Sequence, residues 1–186
     1  MTPAPWEMPP VGAPAALAAT LAAGLPRLVT ERLSLRAPEI ADFDAYARIF
    51  LSDRWHDEGG RTREDAWLDF AQMVAGWMLR GMGLMAIDKR GGEHVGFVVL
   101  NHEYGDAHAE VGWMLNDGSE GNGYATEAAR AALRFAFGSL RLKGLVSYIA
   151  PSNTASIRVA ERLGAQLAPE TESGCLVFRH QPEVLQ

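Results

Sequence analysis

Apolar and polar residues recur along this chain with two different periods, which separate strands from helices. Alternating or short continuous apolar runs predict strands at residues 32–36, 84–89, 94–100, 109–115, 145–150, 165–168 and 176–180. Apolar residues at helical spacing predict helices at residues 42–51, 62–81, 124–137 and 153–163. Strands and helices mixed in this order favour an α/β (α+β) fold, with a single sheet and helices packed on its faces.

Short local signals mark the ends of several of these elements. Thr62 followed three residues later by Asp65 indicates a capping box, and Gly81 is the expected end of the helix that it opens. Gly91 and Gly92 separate two apolar runs and predict a β-hairpin. The segment PETESGC at residues 169–175 is rich in turn-forming residues, so we expect it to be the turn of a final hairpin.

The first 27 residues are unlike the rest of the chain, because they are rich in proline and alanine. They lack a basic leading region and contain Glu7, so they do not resemble a signal peptide. We expect an arm with a short helix at residues 15–23, followed by one domain over residues 28–186. A helix this short is marginal in water, so it should dock on the domain or on a neighbouring subunit, and a homodimer is possible.

Composition narrows the classes of function. Of the 186 residues, 48% are hydrophobic and 22% charged, which is typical of one globular domain. A formal net charge of -6 without a basic block argues against binding to nucleic acid or to a membrane, and no apolar run is long enough to span a bilayer. The single cysteine, Cys175, favours the cytoplasm and is expected to be simply buried, and no spacing suggests a metal site.

The segment AEVGWMLNDGSEGNGYATEAARAA at residues 109–132 carries the strongest chemical signal, because it predicts a strand, a glycine-bearing loop and a helix in succession. Such a junction directs unpaired backbone N–H groups and the positive end of the helix dipole at one spot, which suits a phosphate or pyrophosphate. The spacing matches neither a dinucleotide fingerprint nor a Walker loop. Gly121 and Gly123 would let an anion approach the backbone, although a plain strand-to-helix turn would also need them.

A second segment, PSNTASIRVAERLG at residues 151–164, strengthens the first interpretation. Together the two segments resemble the GNAT superfamily of acetyl-CoA-dependent N-acetyltransferases. Gly123 and Ala125 match its (Q/R)xxGx(G/A) pyrophosphate motif, and the later helix is matched by Asn153, Ser156, Glu161, Arg162 and Gly164. LVTERLSLR, AEVGWML and GNGYATEAARAAL are similar to the RimJ/RimL-like branch, which includes ribosomal-protein N-terminal acetyltransferases. The resemblance implies the GNAT fold, a single mixed, mostly antiparallel central sheet flanked by helices.

What the resemblance further implies is an acetyl-CoA site without a metal. Backbone N–H groups of the loop would hold the pyrophosphate, and the backbone of Met114 and Leu115 would contact the pantetheine arm and polarise the thioester carbonyl. Asn153 would contact CoA, cap the helix that it precedes, or do both. The implied cofactor-binding residues are Met114, Leu115, Gly121, Asn122, Gly123, Tyr124, Ala125, Thr126, Asn153 and Ser156.

Two positions depart from the family pattern. Glu120 stands where the loop motif usually has Gln or Arg, and its carboxylate would repel phosphates unless it points to solvent. Ala160 stands where many members have a Tyr that protonates the leaving thiolate. The alternative function is therefore a non-catalytic CoA-binding or protein-interaction module with the same fold.

Glu110 and Ser156 are the candidate catalytic residues. Glu110 shares a strand face with Gly112 and Met114, so we expect it to face the cleft as the general base, unless it is a solvated or ion-paired carboxylate. By the resemblance, Ser156 would hydrogen-bond the sulfur of the leaving group, or it would only cap its helix.

The acceptor end carries no pattern that identifies a substrate. His56, His102 and His108 could titrate near neutrality, but the sequence shows no partner for them. The tryptophans are most simply core or pocket-wall residues, although Trp55 and Trp77 could border an acceptor pocket formed by residues 41–81. The predicted reaction is direct attack on the thioester by a primary amine, from a protein N-terminus or a small molecule, without a covalent enzyme intermediate.

Overall fold

The computed structural model describes residues 4–52 and 60–182, which fold around one eight-stranded sheet. The strands are β1 (Leu28–Val29), β2 (Leu33–Arg36), β3 (Leu84–Lys89), β4 (His94–Asn101), β5 (Glu110–Leu115), β6 (Leu145–Ile149), β7 (Gln166–Glu172) and β8 (Cys175–His180). The helices are α1 (Ala13–Ala23), α2 (Phe43–Phe50), α3 (Arg63–Arg80), α4 (Tyr124–Gly138) and α5 (Thr154–Arg162), and 3-10 turns at Pro5–Glu7 and Ile40–Asp42 precede α1 and α2.

Neighbouring strands of the sheet lie in the order β1-β2-β3-β4-β5-β6-β8-β7. The pair β5–β6 is parallel, and the other neighbouring pairs are antiparallel. The predicted fold class, a mixed and mostly antiparallel sheet flanked by helices, is therefore confirmed.

Helices cover both faces of the sheet, and each face has its own apolar core. Alanines of α4, among them Ala128, Ala129 and Ala132, are fully buried and let the helix lie close to the sheet beside Val111 of β5. On the opposite face α2 and α3 pack aromatic side chains onto β4, and the ring centroids of Tyr46 and Phe97 are 5.3 Å apart. The sheet thus separates an α4 face from an α2/α3 face.

The local signals at the ends of α3 are confirmed. Thr62 Oγ1 accepts a hydrogen bond from Asp65 N–H at 3.2 Å, and the Asp65 carboxylate accepts one from Thr62 N–H at 2.8 Å. Gly81 follows the helix in the left-handed conformation, with φ of 69°. Each end is determined by residues close to it in the sequence, which explains why the sequence was sufficient to place both ends.

The final hairpin differs from the prediction. β7 continues through Pro169 to Glu172, and the turn consists of Ser173 and Gly174. The sheet accepts Pro169 because β7 is its edge strand, where a residue without an N–H leaves no partner strand unsatisfied, and its register with β8 shifts between Leu167 and Thr171. Turn-rich composition alone therefore overestimated the length of the turn.

The N-terminal arm touches the rest of the protein at its start. The carboxylate of Glu7 forms a salt bridge with Arg63, in which Oε1 and Nε are 2.7 Å apart. By contrast, no residue of α1 is buried within the described part of the chain, and Leu17 and Leu21 are 62% and 52% exposed. In the described ranges, no helix has the length and apolarity needed to cross a membrane.

Candidate active site

The parallel strands β5 and β6 are in register at a single described pair, Glu110 with Val146. The Val146 N–H donates to the Ala109 carbonyl at 2.9 Å. Beyond this pair the two strands diverge toward the edge at which both end, and α4 and α5 begin beyond that same edge. The fold therefore brings an opening in the sheet and two helix N-termini to one side of the molecule.

Side chains occupy the position of the next ladder bond between β5 and β6. In a parallel ladder that begins as this one does, the Tyr148 N–H would donate to the Val111 carbonyl. Instead, the Ser147 hydroxyl donates to the Val111 carbonyl at 2.6 Å, and the Tyr148 N–H lies toward the carboxylate of Glu110, whose pKa it lowers. The opening between the strands thus begins at these side chains.

Backbone alternation decides which residues of β5 face this opening. The carbonyls of Ala109 and Val111 both point to β6, so the backbone groups of Trp113 and Leu115 point the same way. Met114 is in register with Phe97 of β4, and its backbone faces that strand. Of the predicted pair Met114 and Leu115, only Leu115 faces the opening through its backbone, and Trp113, which was not predicted, faces it in the same way.

Glu110 lies on the α2/α3 face of β5, beside the opening. Gly112 leaves space next to it, since a Cβ built there would be 3.7 Å from Glu110 Oε1. Burial raises the pKa of the Glu110 carboxyl to about 7, the charge of Asp106 and, less strongly, that of Glu103 add to the rise, and the Tyr148 N–H opposes it. A carboxylate with this pKa changes its charge near neutral pH.

Further acidic groups lie near Glu110. The Glu103 backbone N–H donates to the Asp106 carboxylate at 2.6 Å, and Asn101 Nδ2 donates to Glu103 Oε1 at 2.7 Å. Burial and the charges of Asp69 and Asp106 raise the pKa of Glu103. The α2/α3 side of the opening therefore carries negative charge.

Cys175 also lies near Glu110, contrary to the expectation that it is simply buried. Its side chain is partly exposed, and burial together with the charge of Glu110 raises the pKa of the thiol. This proximity could not be predicted from the sequence, because β8 reaches the site only by pairing with β6.

The glycine-bearing loop leads directly into the N-terminus of α4. Gly121 and Gly123 have φ values of 76° and 79°, a conformation that other residues rarely adopt. Asn122 stabilises the loop, since its Nδ2 donates to the carbonyls of Ser119 and Glu120. The Glu120 side chain is exposed, as expected for a carboxylate that must not face a bound anion.

A cleft of ≈ 1220 Å³ lies against this loop. Thr126, in the first turn of α4, lines the cleft with 9% of its surface exposed, and its Oγ1 has no hydrogen-bond partner within residues 4–52 and 60–182. A buried hydroxyl without a partner is costly, whereas a bound oxyanion would accept its hydrogen bond. The loop, the helix N-terminus and Thr126 together fit a phosphate group.

Arginines surround the same cleft, although they were not among the residues predicted to bind the cofactor. Arg130 and Arg134 share a face of α4, which was a signal available in the sequence. Arg32 reaches the loop from the β1–β2 connection, where its guanidinium bonds to the Asn122 carbonyl at 3.0 Å and to the Glu127 carboxylate at 2.6 Å. The arginines that line the cleft are Arg27, Arg32, Arg130, Arg134 and Arg162.

Asn153 and Ser156 meet at the N-terminus of α5. Asn153 Oδ1 accepts a hydrogen bond from the Ser156 N–H at 3.0 Å, so the capping role of Asn153 is confirmed. Ser156 is partly buried in the first turn of the helix. The contacts of both residues with CoA stay predictions.

The remaining candidates contribute less to this site. Trp77 is 6% exposed and its Nε1 donates to the Leu84 carbonyl at 2.7 Å, so it is a core residue and does not border the opening. The His102 ring bonds to the Asp106 carbonyl at 3.1 Å, and His108 is exposed. Trp55 and His56 lie outside the described residues.

Comparison with known proteins agrees with this arrangement. The family model of the acetyltransferase (GNAT) domain matches residues 32–166. The chain belongs to the GNAT family. It is an N-acetyltransferase, and its recognition from the sequence is confirmed.

Individual relatives cover most of the chain. An acetyltransferase from Agrobacterium tumefaciens str. C58 is 40% identical, with a TM-score of 0.79 over 85% of this chain and 95% of that one. The uncharacterized protein YkkB from Bacillus subtilis (strain 168) is 33% identical over 74% of this chain and 84% of its own length. RimJ from Mycobacterium smegmatis, solved in complex with CoA-disulfide, shares the fold at 22% identity, with a TM-score of 0.64 over 81% of this chain and 82% of that one.

Proposed function

We propose that this protein transfers the acetyl group of acetyl-CoA to a primary amine, by direct attack of the amine on the thioester. The observation that carries this proposal is the position of Glu110 beside the opening between β5 and β6, with a pKa raised to about 7. A group with this pKa can accept a proton at neutral pH, which attack by an amine requires.

The cleft beside the loop supports acetyl-CoA as the cosubstrate. CoA carries a pyrophosphate and a further phosphate, and the cleft offers the N-terminus of α4, the Thr126 hydroxyl and several arginines to them. In the proposed complex, backbone N–H groups of residues 121–126 bind the pyrophosphate. The pantetheine arm then follows the opening past the backbone of Trp113 and Leu115.

The acidic side of the opening supports a cationic acceptor. An amine in neutral water is mostly an ammonium ion, and the charges of Glu103 and Asp106 attract it to the site. The acceptor can be a protein N-terminus or a small-molecule amine, since both present the same group.

Each step of the proposed reaction uses one part of the site. Glu110 takes a proton from the ammonium, and the free amine nitrogen forms a bond to the carbonyl carbon. A backbone N–H that faces the opening donates to the oxygen on which charge develops. The bond to sulfur then breaks, and the nitrogen loses its second proton to the leaving thiolate, so that the amide and the free thiol of CoA are formed. The Ser156 hydroxyl donates a hydrogen bond to the sulfur as it leaves, and the ordinary thiol pKa of about 8.5 makes strong acid catalysis unnecessary.

We also propose that the protein acts in the cytoplasm and forms a homodimer. The single cysteine supports a reducing compartment. The exposed Leu17 and Leu21 of α1, in a segment without charged residues between positions 8 and 26, support contact with a second copy.

Titration calorimetry with acetyl-CoA and thiol release with a panel of amines test the main proposal. Gly123→Val should raise the acetyl-CoA dissociation constant at least about tenfold, because it places a β-branched residue at φ of 79° in the loop. Asn153→Ala should raise it less, by about threefold. Gly92→Val is the matched control, since Gly92 has φ of 93° in the β3–β4 turn and does not line the cleft.

Three results would contradict parts of this proposal. No binding of acetyl-CoA by the unaltered protein would overturn the function. Binding without thiol release from any amine would favour the non-catalytic alternative. Unchanged affinity in both Gly123→Val and Asn153→Ala would overturn the assignment of the cleft.

A further inference from the structure

Ser147 lies where β5 and β6 separate, and it is hydrogen-bonded on two sides. Its side chain is 2% exposed, its hydroxyl donates to the Val111 carbonyl, and its Oγ is 3.1 Å from His180 Nε2. Because the hydroxyl proton is used on Val111, the hydrogen of the second bond must come from His180 Nε2. Nε2 of His180 therefore carries a proton.

Burial keeps His180 neutral, with its one ring proton on Nε2. The residue is 3% exposed, and burial lowers the pKa of its imidazole to about 4. Protonation would place a second N–H on Nδ1, which has no hydrogen-bond partner within the described residues. The bond from His180 to Ser147 is thus maintained throughout the neutral pH range.

The two groups that a regular ladder would join each face another group. The Val111 carbonyl is bonded to Ser147 on the α4 face of the sheet. The Tyr148 N–H faces β5, as the Val146 N–H does, and lies toward Glu110 on the α2/α3 face. Without the Ser147 hydroxyl, the Val111 carbonyl would lack a partner, and its nearest replacement in the strand pattern is the Tyr148 N–H.

We propose that Ser147, held by His180, is a positioning residue that keeps β5 and β6 apart and leaves the Tyr148 N–H available to Glu110. Its importance for catalysis rests on the function proposed above, because Glu110 is the general base in that function. Ser147 itself does not touch the reacting atoms. It acts through the Tyr148 N–H, which lies toward Glu110 and favours the charged carboxylate that accepts the proton.

Several other groups face Glu110 and must be considered in any test based on its titration. Glu103 and Asp106 lie on the connection after β4, Tyr148 on β6 and Cys175 at the start of β8. The phenol of Tyr148 stays neutral, because burial and nearby carboxylates raise its pKa to about 12. A substitution at Ser147 keeps all of these side chains, so a shift in the Glu110 titration reports on the position of β6 against β5, including that of the Tyr148 N–H.

The test is a pH titration of the Glu110 carboxyl carbon by NMR in the protein without ligand. Ser147→Ala should raise the Glu110 midpoint by about one pH unit, because the Tyr148 N–H that favours the charged carboxylate would turn to the Val111 carbonyl. Ser147→Thr, which keeps the hydroxyl, should restore the midpoint to within about 0.3 unit of the unaltered protein. Ser34→Ala, a serine on β2 of the same sheet, is the control that should leave it unchanged.

An unchanged midpoint in Ser147→Ala would overturn the proposal, as would an equal shift in Ser147→Thr. If Ser147→Ala is too unstable to titrate, Ser147→Cys replaces it, because its S–H is a weaker donor and should give a smaller rise. No rise in Ser147→Cys would then also overturn the proposal.

Kinetic measurements distinguish the positioning role of Ser147 from the role of Glu110 as the base. In Ser147→Ala, the acid limb of the kcat–pH profile should shift to higher pH by the same amount as the Glu110 midpoint. KM for acetyl-CoA should rise about threefold, because the strands approach each other. An acid limb that stays in place while the NMR midpoint moves would show that Glu110 is not the base, although Ser147 still positions it. No activity in the unaltered protein would overturn the proposed function alone, since the NMR titration needs no turnover.

Discussion

Glu110 combines a position beside the opening with a pKa of about 7, and replacing it tests whether it is the general base. Glu110→Gln keeps the size of the side chain and removes the proton acceptor. We expect kcat to fall at least about 100-fold, which is the lower range for loss of general base catalysis. The activity of the unaltered enzyme should rise with pH through about 7, and this limb should be absent from the variant.

Steady-state rates between pH 5.5 and 9 provide the measurement. Asp106→Asn is the matched control, because it removes a neighbouring charge and keeps an oxygen that can accept the bond from Glu103 N–H. The charge of Asp106 raises the pKa of Glu110, so this variant should move the acid limb to lower pH while retaining activity. A Glu110→Gln enzyme within about threefold of full activity would exclude Glu110 as the base.

The same carboxyl predicts a pH-dependent change in stability. Its pKa is raised from 4.5 to about 7 in the folded protein, so ionisation destabilises the fold as pH rises through this window. Glu110→Gln stays neutral and avoids this cost. The difference in Tm between Glu110→Gln and the unaltered protein should therefore be more favourable to the variant at pH 8 than at pH 5, by a few degrees.

Thermal unfolding at the two pH values checks this expectation. Equal Tm differences at pH 5 and pH 8 would contradict the raised pKa. A variant that loses activity and gains stability at pH 8 would show that Glu110 is retained for function and not for folding.

Residue roles that depend on near neighbours were predictable from the sequence, and those that depend on distant partners were not. Gly121, Gly123 and Asn153 act within a few positions of themselves, so their spacing was informative. Ser147 acquires its role only when β6 lies between β5 and β8. A buried strand serine gives no sign of this in sequence, because its partners are determined by sheet order.

At the level of elements, the connection between β1 and β2 braces the loop before α4. Arg32 bonds to the Asn122 carbonyl and to Glu127, and its guanidinium lies 4.9 Å from the ring centroid of Tyr124. Arg32→Leu would leave the Glu127 carboxylate without its cation beside the proposed phosphate site. We expect the acetyl-CoA dissociation constant to rise about tenfold, which corresponds to the loss of one charge-assisted interaction.

Calorimetry with Arg32→Lys and Arg27→Leu gives this prediction its controls. Lysine keeps the charge and loses the planar fork, so Arg32→Lys should bind acetyl-CoA with intermediate affinity. Arg27 lines the same cleft and bonds to Ser34 instead of the loop, so Arg27→Leu should have a smaller effect than Arg32→Leu. Equal effects of the two leucine variants would indicate a general charge effect and not bracing of the loop.

The elements also show where pattern-based prediction loses accuracy. Periodicity identified β3, β4, β5 and α4 to within about two residues, because each buries one face or lies entirely in the core. The extension of β7 through Pro169 was missed, because an edge strand need satisfy neither the alternation nor the N–H requirement of an inner one. The position of Cys175 near Glu110 was missed for a related reason, since it depends on which strand β8 joins.

For the whole molecule, sheet order would let the proposed site bind two ligands at once. The single parallel pair opens the sheet between β5 and β6, with arginines and the α4 N-terminus toward the proposed cosubstrate. Glu103, Asp106 and Glu110 lie toward the proposed amine. The two charged regions have opposite signs, so each ligand is attracted to its own side of the thioester.

The exposed helix α1 of the N-terminal arm should form the contact between two copies of the protein. Leu17 and Leu21 lie one helical turn apart on α1 and remain exposed, so a second copy that covers them would bury apolar surface that water now contacts. Replacing both by Glu should lower the fraction of dimer measured by light scattering at about 50 μM, because two charges would enter the contact. Acetyl-CoA affinity should stay within about twofold, since neither residue lines the cleft. Leu68→Glu, an exposed leucine on α3, is the control. A monomeric unaltered protein, or an equal loss of dimer in the control, would contradict a dimer formed through α1.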